Sequence, residues 1–304
     1  MIEGYYTDTE PDLTTTPSRC VSLSGPSSTR ITLCEFPLLA LFFLSFLKAQ
    51  ATRILCTNRD EFLDRPTLDA HFHSFGRNSN SKKEEDVLSG IDVLGGGTWF
   101  GMTRAGRIAL LTNITEPPPP HPFALSRGSL VSSHLLSEAP VPRDTPFAGF
   151  NLLLLVPKGR AGFEAEFVSN GGAGGPIVSR KGELTGGFSN AVDGKEEWDK
   201  VVQGKSGFAG IVGGGRDLVE GLFGLLDEHP PERVVHRSEL KKAIHVVPLS
   251  VEGKMYGTRL STVLLVRKDG EVLFIERDIW KLDHDGTVTR APPESQRLYR
   301  FQLE

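Results

Sequence analysis

From Ala51 onward, apolar residues come in short runs bounded by glycine, proline and acidic residues, the pattern of strands joined by turns. Arg53-Ile-Leu-Cys-Thr57 is one such run; it ends in a polar cluster and predicts a strand feeding a loop. Gly97–Met102 and Arg107–Thr112 flank Thr103-Arg-Ala-Gly106, whose Ala-Gly pair predicts a hairpin. Pro117–Pro120 stops any regular element there. Gly149–Val156 reads as a buried strand, with Phe163–Val168 alternating as its partner. Val263–Val266 and Val272–Ile275 flank an Asp-Gly turn at 269–270, the strongest short hairpin signal in the chain. Helical spacing occurs over Ser126–Glu138, through Leu130, Val131, Leu135 and Leu136, and over Val219–Leu226. Strands that arrive as hairpins, interrupted by a few helices, predict largely antiparallel sheets with helices on their outer faces.

The first fifty residues follow another pattern. Residues 1–30 are rich in Ser, Thr and Pro, without apolar periodicity, and predict disorder. Phe36–Leu47 is an apolar block bounded by Glu35 and Lys48. It is shorter than the ~18 residues of a spanning helix and too far from Met1 for a secretory signal. Three readings stay open: a core strand or helix, a membrane-associated segment, or a gene-model artefact in which residues 1 to about 50 replace a different first segment. The expected organisation is an atypical extension over 1–50 and one domain over 51–304.

Composition narrows the function classes. The chain has 304 residues, 38% of them hydrophobic, and a net charge of −4, without the basic excess of a nucleic-acid binder. Cys20, Cys34 and Cys56 are too few for a disulfide framework, and no Cys/His cluster has metal-ligand spacing. The glycine clusters at 95–97, 171–175 and 213–215 lack a following Lys-Ser/Thr, so they read as turns rather than a phosphate loop.

Candidate chemistry gathers in a few tracts. Asn58, Arg59, Asp60 and Glu61 follow the first strand, where adjacent Arg59 and Asp60 could form a charge-assisted pair or an ordinary solvated loop. Asn113 and Asn190 each end an apolar run and could donate to an oxyanion or cap a turn. Arg259 sits among small residues that leave room around its guanidinium. His71 and His73 form a His-x-His pair, a pattern that more often faces solvent than holds a metal.

Thr57-Asn-Arg-Asp-Glu-Phe62 with Arg65-Pro66 resembles the tract that names the NRDE family, the transport and Golgi organisation protein 2 family. Other family-like tracts follow in order: Leu88-Ser-Gly-Ile-Asp92, Gly96-Gly-Thr-Trp-Phe-Gly101, Ala109-Leu-Leu-Thr-Asn113, Ser126-Arg-Gly128 and Gly149-Phe-Asn151. Gly187-Phe-Ser-Asn-Ala191 with Trp198, Tyr256-Gly-Thr-Arg-Leu-Ser-Thr262 and Glu271-Val-Leu-Phe-Ile-Glu-Arg277 complete the set. The resemblance covers about residues 54–303. It implies the four-layer αββα sandwich, with mostly antiparallel sheets, of N-terminal-nucleophile (Ntn) hydrolases, whose catalytic cysteine is the first residue of the mature chain. By resemblance, Arg59 and Asp60 would be the first polar pair of the pocket, Asn190 the oxyanion donor with Asn113 beside it, and Arg259 a closing arginine.

The chain departs from this pattern at its start: residue 2 is Ile and no cysteine follows Met1. Cys34 is the candidate replacement, and exposing it as a first residue requires cleavage after Leu33. Cys20 is a weaker candidate, and Cys56 reads as a small buried hydrophobe. The resemblance implies a role in Golgi and endoplasmic-reticulum organisation and protein secretion. Cysteine-dependent hydrolysis of an amide or thioester, or carriage of haem or an acyl lipid, are the competing functions. No cofactor is read from the residues themselves; haem enters by resemblance only. The expected partners are a small or hydrophobic ligand and, peripherally, a membrane or the Golgi. A cytoplasmic location is expected, with Golgi association or a mitochondrial location open. Substrate and oligomeric state are not encoded in any pattern found.

Overall fold

The computed structural model describes residues 38–45, 51–76, 86–117, 121–137, 140–159, 162–182, 186–192, 195, 197–214 and 217–304. All of them belong to one compact unit, Cys34–Glu304. The expectations for residues 1–30, Cys20 and Cys34 lie outside the described residues. In chain order the elements begin β1 (Leu38–Ser45), β2 (Ala51–Phe62), β3 (Thr67–His73), β4 (Val87–Asp92), β5 (Phe100–Thr103), β6 (Ile108–Asn113) and α1 (Gly128–Leu136). Next come β7 (Phe150–Lys158), β8 (Gly162–Ser169), β9 (Val178–Gly182), β10 (Gly186–Phe188), α2 (Asp199–Gly213), α3 (Leu218–Leu226) and a 3-10 turn over Arg237–Lys242. The chain ends with β11 (Leu249–Val251), β12 (Lys254–Arg267), β13 (Glu271–Asp278), β14 (Trp280–Leu282), β15 (Val288–Arg290) and β16 (Gln296–Gln302).

Two seven-stranded sheets result. The first runs β10-β1-β2-β12-β13-β16, with β11 paired to β12; the second is the meander β3 to β9. The pairings in both are antiparallel, as the hairpin pattern predicts. The period-two alternation of the strands builds the layers. Leu55, Leu264 and Phe274 of the first sheet meet Leu88, Phe100, Leu110 and Leu153 of the second in one core between the sheets. The opposite face of the first sheet, through Ile54, Cys56, Val263 and Ile275, packs on Val201 and Phe208 of α2 and Leu222 and Leu226 of α3. The outer face of the second sheet packs Ala109, Leu111 and Leu152 on Leu130, Val131 and Leu135 of α1. The order helices–sheet–sheet–helix is the αββα sandwich that the resemblance implies. The Cys56 thiol is buried in the α2/α3 layer, as the sequence predicts.

One local expectation changes, and one open reading narrows. The loop after Thr57 is absent, because β2 continues to Phe62 and is paired on both sides, Asp60 lying opposite Leu38 of β1 and Thr258 of β12. The polar run is a strand because its charged side chains find partners in the layers on either side. Within the apolar block, Leu38–Ser45 is a strand rather than a helix, joined to β2 and β10. No helix among the described residues is long and apolar enough to cross a membrane. α2, β3 and β14–β16 carry no clean periodicity in the sequence; the outward-facing residues of α2 include Val202, which blurs its pattern.

Several family tracts prove to be packing devices. Gly90 seats the Trp99 indole, since a Cβ there would lie 2.4 Å from the ring. At Gly97 the N-terminus of α1 comes against the loop before β5: an added Cβ would be 2.4 Å from the Gly128 carbonyl carbon. Both atoms at that contact are backbone, so neither can rotate away. Gly97→Ala is therefore expected to cost about 1–3 kcal/mol, read as a lower urea midpoint; an unchanged midpoint would mean that α1 shifts freely.

Candidate functional site

Strand alternation sorts the polar run of β2 into two sites. Asn58 and Asp60 project toward the α2/α3 layer, whereas Arg59 and Glu61 project toward the second sheet. The Arg59–Asp60 pair that adjacency suggests does not form, because consecutive strand residues point to opposite faces.

On the helix side, Asp60 is 2% exposed and its Oδ1 accepts a hydrogen bond from Thr258 Oγ1 at 2.6 Å. Lys200, in the first turn of α2, is 1% exposed. Its Nζ lies 3.4 Å from Asn190 Oδ1 and 5.2 Å from the centre of the Trp198 ring. Asn190 is itself held: its Nδ2 donates to the Asn113 carbonyl at 2.8 Å, and its carbonyl accepts from the Thr115 amide at 2.7 Å. Asp60, Asn190, Trp198 and Lys200 line a cavity of about 70 Å³, together with Tyr256 and with Arg237 and Leu240 of the 3-10 turn. Burial pushes the Asp60 carboxyl up to about 7, against the pull of Lys200 and the Thr258 hydroxyl. Burial likewise draws the Lys200 ammonium down to about 8, with Asp60 opposing. An acid and a base near neutrality, beside a fixed amide, form a site able to move protons around a small carbonyl group.

Between the sheets the second cluster is a structural ion network. The Arg59 guanidinium lies 3.9 Å from the centre of the Trp99 ring, donates to Thr67 Oγ1 at 3.0 Å and faces Glu61 at 3.9 Å. Arg65 makes a two-pronged contact with Asp92, at 3.1 and 2.8 Å. Arg259 donates to the carbonyls of Phe62 and Arg65 and to Thr67 Oγ1. Burial raises the Glu61 carboxyl, with Arg59 and Arg65 opposing, and lowers Arg59 to about 10. The expected site residues thus divide. Asp60 and Asn190 come together; Asn113 reaches them only through its backbone carbonyl, since alternation along β6 turns its side chain to the α1 face. Arg59, Glu61 and Arg259 belong to the other network, and Arg259 does not close over Asp60. Asn58 holds the fold: its Nδ2 donates to the Leu226 and Ile244 carbonyls and its Oδ1 accepts from Ser261.

Lys200 and Thr258 were not singled out by the sequence. Thr258 lies inside the Tyr256–Thr262 tract, and Lys200 follows Trp198 by two residues, but neither carries a local signal of its own. His73 is buried, not solvent-facing: its Nε2 pairs with Ser89 Oγ at 2.8 Å and its Nδ1 accepts from the Phe75 amide. With both nitrogens engaged, His73 does not fit as a haem ligand.

A family model described as Transport and Golgi organisation 2 matches residues 41–281. The chain is 33% identical over 268 residues to the Transport and Golgi organization protein 2 homolog of Bos taurus, with 81% of this chain and 92% of that protein covered. It is 26% identical over 263 residues to the Transport and Golgi organization protein 2 of Drosophila melanogaster, covering 77% and 88%. Among solved structures, a Caenorhabditis elegans N-acylethanolamine-hydrolyzing acid amidase ortholog is similar with a TM-score of 0.47 and 10% identity, covering 83% of this chain and 100% of that one. Penicillin V acylase from Agrobacterium tumefaciens is similar with a TM-score of 0.47 and 14% identity, covering 82% and 84%.

Proposed function

The chain belongs to the Transport and Golgi organisation 2 family, and from that premise we propose that it hydrolyses a small amide or thioester at the Asp60 cavity. The observation that carries this reading is the enclosure of Asp60, Lys200 and Asn190 around one small cavity at the leading end of β1. That end matters because Leu38, the first residue of β1, pairs with Asp60. Cys34, the proposed nucleophile, precedes Leu38 by four residues in the sequence. Cleavage after Leu33 would add a free α-amine as a second base.

In this reading Asp60 accepts the thiol proton and the thiolate attacks the substrate carbonyl carbon. The Lys200 ammonium and the second N–H of Asn190 Nδ2 stabilise the oxyanion. As the C–N or C–S bond breaks, Asp60 returns the proton to the leaving amine or thiol. Water then attacks the acyl-cysteine, Asp60 again taking a proton, and the acid is released. A cavity of this size takes the carbonyl head, and the rest of the substrate extends past the Arg237 turn. For the cellular setting we carry over what the relatives are named for, transport and Golgi organisation, with the chain acting on the cytoplasmic side of those membranes.

The test is turnover of acyl p-nitroanilides and acyl thioesters by the full chain. Turnover is expected to be lost on iodoacetamide treatment and in Cys34→Ser, and kept in Cys20→Ser. Full activity in Cys34→Ser would remove Cys34 from the mechanism. Stoichiometric capture of the thioester without turnover would replace the hydrolase by an acyl carrier.

A further inference from the structure

α1 has nine residues, about 14 Å of helix, while the seven strands of the second sheet span roughly 29 Å. The helix packs over β4, β5 and β6. Beyond Leu152 of β7, which α1 covers, the outer face of β7, β8 and β9 carries a cavity of about 420 Å³. Its floor is apolar, built by Leu154, Val156 and Val168, with Val141 at the side. Strand alternation places this face on the far side of the sandwich from Asp60, so nothing here depends on the Asp60 reading.

Two of the residues lining this cavity each carry a buried polar atom without a hydrogen-bond partner: Arg107 Nη1 and His134 Nε2. His134 is 9% exposed. Its ring is fixed by a hydrogen bond to the backbone of Leu155. The other charged groups on the cavity wall have hydrogen-bond or ion-pair partners. Lys181 lies 3.2 Å from Glu164 and 3.8 Å from Glu166, and Arg143 donates to the Ile177 carbonyl and to Ser179 Oγ, both at 3.0 Å. Arg107, Arg143 and Lys181 against Glu164 and Glu166 leave one positive charge in excess with His134 neutral. On Arg107 the nitrogen without a hydrogen-bond partner is Nη1.

We infer that this cavity is a binding site for a small monocarboxylate with an apolar tail. The carboxylate accepts from Arg107 Nη1 and from His134 Nε2 once that nitrogen is protonated, and the tail lies along Leu154, Val156 and Val168. One negative charge matches the single excess positive charge, and the apolar floor matches the tail; a volume of this order suits a single small molecule. Burial and the nearby Arg107 hold the free His134 low, at about 4. An anion seated between the two reverses that balance, so binding takes up a proton on His134. Arg107 and Glu166 are the charged groups that act on the ring, Arg143, Lys181 and Glu164 share the cavity wall, and only the ligand is new among them.

Calorimetric titration of the full chain with octanoate tests this, with acetate and octan-1-ol as controls. Octanoate is expected to saturate one site, with acetate and octan-1-ol at least tenfold weaker. Arg107→Gln is expected to weaken octanoate at least tenfold. Val156→Glu, at a strand position 42% exposed and so tolerant of a charge, is expected to do the same by repulsion. The His134 ring resonances are expected to move toward the imidazolium form with octanoate and not with octan-1-ol. Absence of saturable binding, equal affinity for octanoate and octan-1-ol, or unchanged affinity in a folded Arg107→Gln or Val156→Glu chain would overturn the site.

Discussion

Asp60→Asn is expected to lower kcat/KM for acyl hydrolysis by roughly 10²- to 10⁴-fold, the usual range for loss of a general acid–base. The substitution keeps an oxygen that can accept from Thr258 Oγ1, so the local packing survives while the proton acceptor is gone. The pH profile separates this from a structural effect. In the parent chain the Asp60 carboxyl must be ionised and the Lys200 ammonium protonated. Activity should therefore rise through about 7 and fall through about 8, giving a narrow bell. Asp60→Asn should abolish the acidic limb. It should also move the alkaline limb to lower pH, because Asp60 is the charge that opposes the effect of burial on Lys200. An acidic limb that persists unchanged in Asp60→Asn would assign it to another group and remove Asp60 from proton transfer.

The second large effect is on stability. Asn58 is fully buried and joins four segments: β2, Ser261 of β12, the end of α3 at the Leu226 carbonyl, and the Ile244 carbonyl beyond the 3-10 turn. Asn58→Ala leaves two carbonyls and one hydroxyl without this partner in a dry layer. Each such loss costs about 1–3 kcal/mol, and the shared network keeps the sum near about 3–5 kcal/mol. Asn58→Asp should be comparably damaging, because a carboxylate cannot donate to the two carbonyls. Urea unfolding of the parent chain and both variants measures this. A loss below about 1 kcal/mol would show that water replaces the amide and that Asn58 does not hold the layers together. Asn58 therefore supports the Asp60 cavity from two residues away on the same strand face.

The adjacent letters Asn-Arg-Asp-Glu thus carry different tasks. Asn58 anchors α3 and Asp60 lines the cavity. Arg59 and Glu61 join Trp99, Thr67, Arg65 and Arg259 between the sheets. Their proximity in sequence suggests one constellation, but a strand separates neighbours onto opposite faces. Asn190 illustrates the converse. It lies 130 residues after Asp60 in the chain yet lines the same cavity, because β10 joins the first sheet at β1.

Sequence by itself determined the hairpins of β5–β6, β7–β8 and β12–β13, the helices α1 and α3, and the antiparallel, layered architecture. Each rests on a local period or a turn residue: alternation over a few positions, apolar spacing along one helix face, or Gly106 and Gly270 at positive φ. Sequence also marked Asp60, Asn113 and Asn190. Only the tertiary structure decided that β2 runs through its charged tract, that Arg59 and Arg259 stand apart from Asp60, and that Lys200 faces it. Those outcomes depend on which layers cover each strand face and on where α2 crosses the sheet. Burial, and with it the shifted acid and base of the cavity, is set by contacts between segments distant in the chain, for which local periodicity carries no signal.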